Sequence, residues 1–401
     1  MNADPVDSAA LAFFREPDGQ RLLDAALEAL DANQPLTVQE RLRAEFPAAM
    51  CRAALATIEL RSRAREKFSH ATQMFFDREG LEMATREEVA EYRAQRFSGC
   101  DTVLDLCCGI GGDTLALATH SRVIAVDENR LRLEMARMNG AAMGMDADRI
   151  LFACADASVF SARADAAFVD PSRRQSGQRV RAVEAYHPPL SSLEELRRRI
   201  PLVAVKLAPG IRTQELPVDA EVEFISSAGQ CREAFVSFPP LARVRRRATV
   251  LPGPHCLEED APSPPADADA PGAYLHDPDP SVVRAGLVDR LANHLDAWKL
   301  DQSTAYLTSD KGTVSPFAQL FRVLWDIPFN VKYLKQRLTH DRMRAEEIKK
   351  RHFPIEPEEM RRLLGVKPRR RRVDDSSRPV TLVLTRIAQR PHAFVCERVT
   401  N

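Results

Sequence analysis

The feature that most constrains this chain is an apolar run that ends on an acid and then on glycines. Residues 102–112 read Thr-Val-Leu-Asp-Leu-Cys-Cys-Gly-Ile-Gly-Gly, and residues 112–120 (GDTLALATH) continue with helical spacing. A short apolar run of this kind reads as a buried strand, and glycines at its end permit a tight turn and close approach of the backbone to a ligand. The texture then repeats. Apolar runs recur at 123–127, 150–156, 164–170 and 202–208, with helical segments at 128–144 and 187–200 among them. Continuous apolar strands alternating with helices predict a parallel sheet covered on both faces. Residues 221–227 (EVEFISS) and 232–238 (REAFVSF), separated by Ala-Gly-Gln-Cys, predict a strand pair joined by a turn. Five parallel strands followed by a hairpin predict an α/β fold with a Rossmann-like, seven-stranded sheet.

Ligands of such sheets sit at the carboxyl ends of the strands. Four acids fall there. Asp105 closes the first strand of Asp105-Leu-Cys-Cys-Gly-Ile-Gly-Gly112. A carboxylate at that place suits the ammonium of an amino-acid ligand and would repel a pyrophosphate. Gly109 and Gly111 supply the turn, and the helix that follows offers free N–H groups to a carboxylate. A dinucleotide fingerprint would need glycine at 114, where Thr114 stands, so an NAD site is disfavoured. Asp127 ends the second strand and can accept two ribose hydroxyls. Asp156 ends the third, where a carboxylate can hold an adenine amino group, with Phe152 or Val126 flanking the ring. Each of the last two acids alone could merely cap a helix. Three acids in register with a glycine turn predict an S-adenosylmethionine (SAM) site.

The fourth strand ends in Asp170-Pro171-Ser172-Arg173-Arg174. Its position on the sheet would face the transferred methyl group, although Asp-Pro-Ser is also turn chemistry. Arg173 and Arg174 could clamp a phosphate or carboxylate. Lys206 lies inside the fifth apolar run, where a charge is costly unless it is paired or at the mouth of a site. Two readings stay open for it: a substrate contact beside Asp170, or a structural ion pair. Asp170, Arg173 and Lys206 are the expected catalytic residues.

The chain has 401 residues, 44% apolar and 28% charged, enough for two or three domains. Residues 1–98 read as a helical domain, with Leu22, Leu23, Ala26, Leu27 and Leu30 on one face. Thr85-Arg-Glu-Glu88 looks like a capping box, with Thr85 as N-cap of a helix through Arg96. The sheet domain would span 99–250, a Pro/Ala/acid-rich linker 251–273, and an α+β domain 274–401. The eight cysteines include no Cys-x-x-Cys pair, so zinc spacing is absent and no metal is expected. Cys107 and Cys108 suit buried reduced thiols. No signal peptide and no membrane-spanning segment are found, so the expected location is cytoplasmic, with no membrane partner. With 57 basic and 57 acidic residues, no whole-molecule field attracts polyanions. Local basic runs remain at Arg243-Val-Arg-Arg-Arg247 and Lys367-Pro-Arg-Arg-Arg-Arg372, and Lys332, Tyr333, Lys335 and Arg337 share one helix. Alone these read as solvated surface.

LDLCCGIGGDTLALA, VIAVDENRLRLEMARMN, FVDPSRR and VKLAPGI resemble a family of bacterial class I SAM-dependent methyltransferases that carry a C-terminal THUMP-like domain. SVVRAGLVDRL, AYLTSD, IPF and IKKRHFPIEPEEMRRLL are similar to that C-terminal domain. Residues 75–112, with Phe76-Asp77, Thr85-Arg-Glu-Glu88 and DLCCGIGG, also resemble trimethylguanosine synthases. The resemblance implies a methyltransferase with an RNA connection, in which the segment before the first strand packs over the cofactor. Joined to that resemblance, the C-terminal domain and the basic runs Arg243–Arg247 and Lys367–Arg372 are the expected RNA contacts. One departure matters. Exocyclic-amine methyltransferases of this fold carry Asp/Asn-Pro-Pro and an aromatic that stacks on a flipped base. Here Ser172 and Arg173 stand in place of the second proline and the aromatic. Stacking would then come from elsewhere or from the Arg173 guanidinium. The expected function is SAM-dependent methylation of a structured RNA. The alternatives are a small-molecule or protein acceptor, or a non-catalytic RNA-binding protein that retains SAM.

Overall fold

The computed structural model describes residues 5–31, 42–172, 174–175, 178–179, 182–366 and 377–400. The chain divides into two compact units, residues 1–221 with 234–243, and residues 222–233 with 244–401.

The first unit begins with α1 (Ser8–Phe13), α2 (Pro17–Asp31), α3 (Ala48–Ala64), α4 (Arg78–Met83) and α5 (Glu87–Ala94). The region is helical, as its periodicity predicts, but it does not separate from the sheet that follows. Buried Asn139 ties the two together. Its Oδ1 accepts from the Phe75 N–H at 2.7 Å, and its Nδ2 donates to the Phe75 and Ile110 carbonyls at 3.1 and 2.9 Å. The capping box is not formed. Helix α5 starts two residues after Thr85, its N-cap is Arg86 without a side-chain bond, and Arg96 lies in a separate 3-10 turn.

The parallel strands are β1 (Thr102–Leu106), β2 (Arg122–Asp127), β3 (Ile150–Cys154), β4 (Ala166–Val169) and β5 (Leu202–Leu207). Asp105 pairs in register with Ala125 and with Phe168, and the order is β3-β2-β1-β4-β5. The helices α6 (Gly112–Ala118), α7 (Arg130–Ala142) and α8 (Leu193–Arg199) make the crossovers. Every residue of β4 is buried, as a strand covered on both faces requires. The hairpin is β6 (Glu221–Ser227) and β7 (Gln230–Ser237), turned by Ala228 and Gly229 at φ 50° and 70°. Strand β7 runs antiparallel to β5 and sets Phe235 opposite Lys206, with β6 beyond it. The resulting order, 3-2-1-4-5-7-6, is the seven-stranded methyltransferase sheet that the sequence predicts.

Two strands extend the pattern: β8 (Arg246–Leu251) pairs parallel with β6, and β9 (His255–Glu259) pairs antiparallel with β8. Residues 251–273, expected as a linker, are therefore structured. Glu259 accepts from the Ser263 N–H at 2.9 Å, Ala266 is buried with its N–H on Asp289 at 2.8 Å, and Ala268 bridges to Lys299.

The rest of the second unit is α+β. Its strands are β10 (Tyr274–Pro278), β11 (Trp298–Lys299), β12 (Leu307–Ser309), β13 (Ala318–Pro328), β14 (Met343–Lys350), β15 (Arg378–Ile387) and β16 (Arg390–Arg398), in the order β11-β12-β10-β13-β16-β15-β14. Two helices follow β10, α9 (Pro280–Ala285) and α10 (Val288–Leu295), separated because Gly286 closes the first in the left-handed region at φ 70°. Helices α11 (Val331–His340) and α12 (Pro357–Leu364) bury Leu334, Leu338, Met360 and Leu364 against Val380, Leu382 and Val395 of the sheet. Truncating one such leucine to alanine costs about 2–5 kcal/mol.

Candidate active site

The end of β1 and the start of α6 form a tight turn with three left-handed residues: Cys107 at φ 67°, Gly109 at 55° and Gly111 at 88°. The Cys107 and Cys108 N–H groups both donate to the Val126 carbonyl, at 2.8 and 3.0 Å, which fastens the turn to β2. A Cβ on Gly111 would lie 3.0 Å from the Ala136 Cβ, whereas a Cβ on Gly109 would meet nothing within 4 Å. Gly111 is thus required by both backbone and packing, Gly109 by backbone alone.

Above the turn lies a cavity of about 430 Å³. Its floor is the turn with Asp113, one side is Asp127 to Asn129, another is Asp170, Ser172 and His187, and residues of the 79–85 segment form the remaining wall. That segment is held down by ionic contacts. Arg132 of α7 lies 2.9 Å from Asp77 and 2.8 Å from Glu79, and Asp77 caps α4 through the Gly80 N–H.

Asp105 lies beneath this floor and is fully buried. Its Oδ2 accepts from the Thr114 hydroxyl at 2.5 Å, and its Oδ1 has no hydrogen-bond partner. Burial, with the Asp113 charge adding to it, pushes its carboxyl up to about 8. Asp105 itself is not among the residues that line the cavity. Asp127 places Oδ2 on the Gly109 N–H and Oδ1 on the Asn129 N–H, both at 2.8 Å. Burial raises its carboxyl, and those two N–H bonds oppose the rise.

The fourth strand delivers Asp170, whose N–H bonds to the Leu106 carbonyl at 3.0 Å. Lys206 of β5 donates to the Asp170 carboxylate and to the Thr85 hydroxyl at 2.9 Å, and lies 4.0 Å from Asp113. Arg93 of α5 pairs with Asp113, and the Thr85 hydroxyl bonds to Asp113 at 3.0 Å. Five side chains from four segments of the chain thus make one network, of which Thr85, Asp113 and Asp170 line the cavity. Burial raises the Asp170 carboxyl, and Lys206 opposes that rise. Of the two readings of Lys206, the ion pair is the one observed: its partner is the cavity-lining Asp170, and Lys206 itself is not among the lining residues.

The other expected residues fall differently. Asp156 lies two residues beyond the end of β3, next to the lining Ala157; its Oδ1 accepts from the Ser158 N–H and hydroxyl at 2.8 and 2.6 Å and lies 3.6 Å from Nε2 of the lining His187. In the free protein it caps a turn. Val126 is buried, and Phe152 lies under the Arg137 guanidinium at 5.3 Å; neither lines the cavity. Arg173 and Lys367–Arg372 lie outside the described residues, and Arg174 is described only as part of a short strand. In the run 243–247, Arg247 is buried between Glu223 and Glu258, while Arg243 and Arg245 are exposed. Lys332, Tyr333 and Lys335 are exposed on α11, and Arg337 is engaged by Asp341 at 2.9 Å.

Thr85, Arg93, Asp113, Asn139 and His187 were not singled out for this site by their sequence pattern. Asp113 carried the one available signal, an acid placed directly after the glycine turn. Cys107 and Cys108 line the cavity, and burial keeps both thiols protonated. Among the described residues, no group of three or more His, Cys, Asp or Glu is arranged to hold a metal, and no helix is long and apolar enough to cross a membrane.

Comparison with known proteins accords with this geometry. The chain is 36% identical over 335 residues to a SAM-dependent methyltransferase of Mycobacterium tuberculosis, found in strains CDC 1551 and H37Rv; the match spans 81% of this chain and 89% of the relative. Residues 100–180 match the family model of the RNA cap guanine-N2 methyltransferases, residues 318–398 a THUMP-like domain, and residues 7–64 a domain of unknown function. A solved protein of Porphyromonas gingivalis W83, described as a candidate methyltransferase, superposes with a TM-score of 0.73 at 23% identity, covering 89% of this chain and 92% of its own.

Proposed function

Because the chain belongs to the SAM-dependent methyltransferases, we propose that the acceptor of its methyl group is RNA. The observation that carries this reading is where the RNA cap guanine-N2 methyltransferase match falls. Residues 100–180 hold the glycine turn, Asp113, Asp127, Asp170 and Ser172, most of the cavity lining. The THUMP-like match at 318–398 adds a second module of RNA-associated kind. All eight cysteines are free, which suits a reducing cytoplasm.

SAM supplies a methyl group already activated on its sulfonium, so alignment of the acceptor is the main task left to the protein. Asp105 and the turn at Gly109 and Gly111 would hold the amino-acid end, with the unpartnered Asp105 oxygen answering the ammonium. Asp127, fixed by two N–H donors, would take the ribose hydroxyls. Asp170 would accept a hydrogen bond from the acceptor's N–H or O–H and so orient its lone pair. Lys206 serves that role from behind by favouring the ionised carboxylate against burial. The exposed Arg243, Arg245, Lys332 and Lys335 are the described residues assigned to phosphate contact, with Tyr333 to stack on a base.

The test is incubation of the full chain with methyl-labelled SAM and total RNA from cells lacking the gene, with Asp105→Ala in parallel. Label entering RNA with the wild type alone supports the reading. Label entering only protein or metabolite fractions ends it.

A further inference from the structure

An adenine needs a flat surface to lie against, and the cavity offers one. Phe152 and Val126, expected to flank the base, do not line it. Among the described lining residues, His187 alone carries a ring. Its backbone is fixed just beyond β4: the Ser172 N–H donates to the His187 carbonyl at 2.8 Å, and the His187 N–H to the Ser172 carbonyl at 3.0 Å. From there the side chain, nearly half exposed, reaches toward the end of β3, where its Nε2 lies 3.6 Å from the Asp156 Oδ1. Two bonds from Ser158 hold the Asp156 carboxyl below its usual value, so at neutral pH an anion faces the edge of the imidazole.

The strand order locates that ring. The ends of β3 and β4 are three strand spacings apart, about 14 Å, with the ends of β2 and β1 between them. Those two ends carry Asp127 and the glycine turn, which form a side and the floor of the cavity. An imidazole that starts beside Ser172 and ends beside Asp156 therefore lies across the cavity. SAM with its amino-acid end at the glycine turn and its ribose on Asp127 runs from β1 toward β3. Its base comes next, on the side where the His187 ring ends.

We infer that His187 is an adenine-binding residue of the cofactor site, its ring packing on the face of the base, with Asp156 as the positioning residue that keeps the ring turned toward β3. Bases stack on histidine as they do on other aromatic side chains, because every base presents a π-face. His187 takes this role only with the cofactor lying as proposed above, on Asp127 and the glycine turn, and it does so whichever molecule accepts the methyl group.

The test is calorimetry of S-adenosylhomocysteine with the full chain and three variants. Removing a ring that stacks on a base lowers affinity by about tenfold. His187→Ala should therefore weaken S-adenosylhomocysteine by about tenfold, with the melting temperature of the free protein unchanged, since the side chain is nearly half exposed. His187→Phe keeps a ring and drops the ring nitrogens; it should bind within about threefold of the wild type. Asp127→Asn tests the cofactor placement and should itself weaken binding by about tenfold. Wild-type affinity in His187→Ala beside a weakened Asp127→Asn overturns the role of His187 and leaves the placement standing. Equal losses in His187→Ala and His187→Phe also overturn it, because the contact would then be a hydrogen bond of the imidazole. Wild-type affinity in Asp127→Asn removes the placement, and the role of His187 with it.

Discussion

The proposed contact of Asp105 with the ammonium of SAM makes cofactor binding sensitive to pH in a direction that can be worked out. Its carboxyl is pushed up to about 8 by burial and by Asp113, so in the free protein it is mostly protonated at neutral pH. An ammonium brought to its unpartnered oxygen favours the ionised form, so SAM binding must drive the proton off. One pH unit of that work is about 1.36 kcal/mol. At pH 6, about two units below the group's value, binding therefore costs about 2.7 kcal/mol more than with the acid already ionised, roughly a hundredfold in Kd. Affinity for SAM should rise as pH goes from 6 to 8 and level off above, where the ligand's own α-amino group begins to lose its proton. Calorimetry in two buffers of different ionisation enthalpy counts the protons. Nearly one should leave per SAM bound at pH 6, fewer at pH 8. Asp127 and Asp170 are also raised, so Asp105→Asn is the necessary control. It should remove most of the slope and most of the released proton. A wild type that binds SAM with equal affinity at pH 6 and 8, releasing no proton, would refute the reasoning.

Other substitutions separate stability from chemistry. An acid whose folded-state value lies above its unfolded value of about 3.9 loses stability for the fold as pH rises between the two, so Asp105→Asn should stabilise the free protein by up to about 4 kcal/mol at pH 7 and hardly at pH 4, read from melting curves at both. Lys206→Met removes the partner of a shielded carboxylate, so Asp170 should rise further: kcat should drop by about a hundredfold and the acidic limb of its pH profile move upward, while SAM affinity changes little. Gly109→Ala should cost only about 1–2 kcal/mol of left-handed strain, and Gly111→Ala more, because Ala136 stands in the way; equal melting temperatures would contradict that distinction. Asn139→Ala strands a buried N–H and two carbonyls, and denaturant titration should show a loss of about 3–5 kcal/mol.

Much of the sheet is legible because a strand buried on both faces must be largely apolar, and β1, β2, β4 and β5 each carry a continuous apolar run. The acids at strand ends stand out against those runs, which is why Asp105, Asp127 and Asp170 were visible. The network behind Asp170 was not. Lys206 belongs to a different segment from Thr85 and Arg93, and nothing in a linear pattern marks a contact across 121 positions. The capping-box pattern at Thr85 was misleading for a physical reason: a hydroxyl that can cap a helix can equally bond a lysine and an aspartate. Residues 251–273 look like a linker because proline, alanine and acids dominate there, yet β9 needs only one flanking strand to pair with. Arg247 looked like part of a phosphate-binding run; the glutamates that neutralise it come from neighbouring strands.

The central claim is that this methyltransferase modifies RNA, and nucleoside mass spectrometry tests it most directly. RNA from cells lacking the gene is incubated with the full chain and SAM carrying an isotopically labelled methyl group, then digested to nucleosides. A single labelled nucleoside should appear with the wild type and be lost with Asp170→Ala, a variant that should still bind SAM. Unlabelled RNA nucleosides from a protein that binds SAM, with label accumulating instead in protein or small molecules, would contradict it.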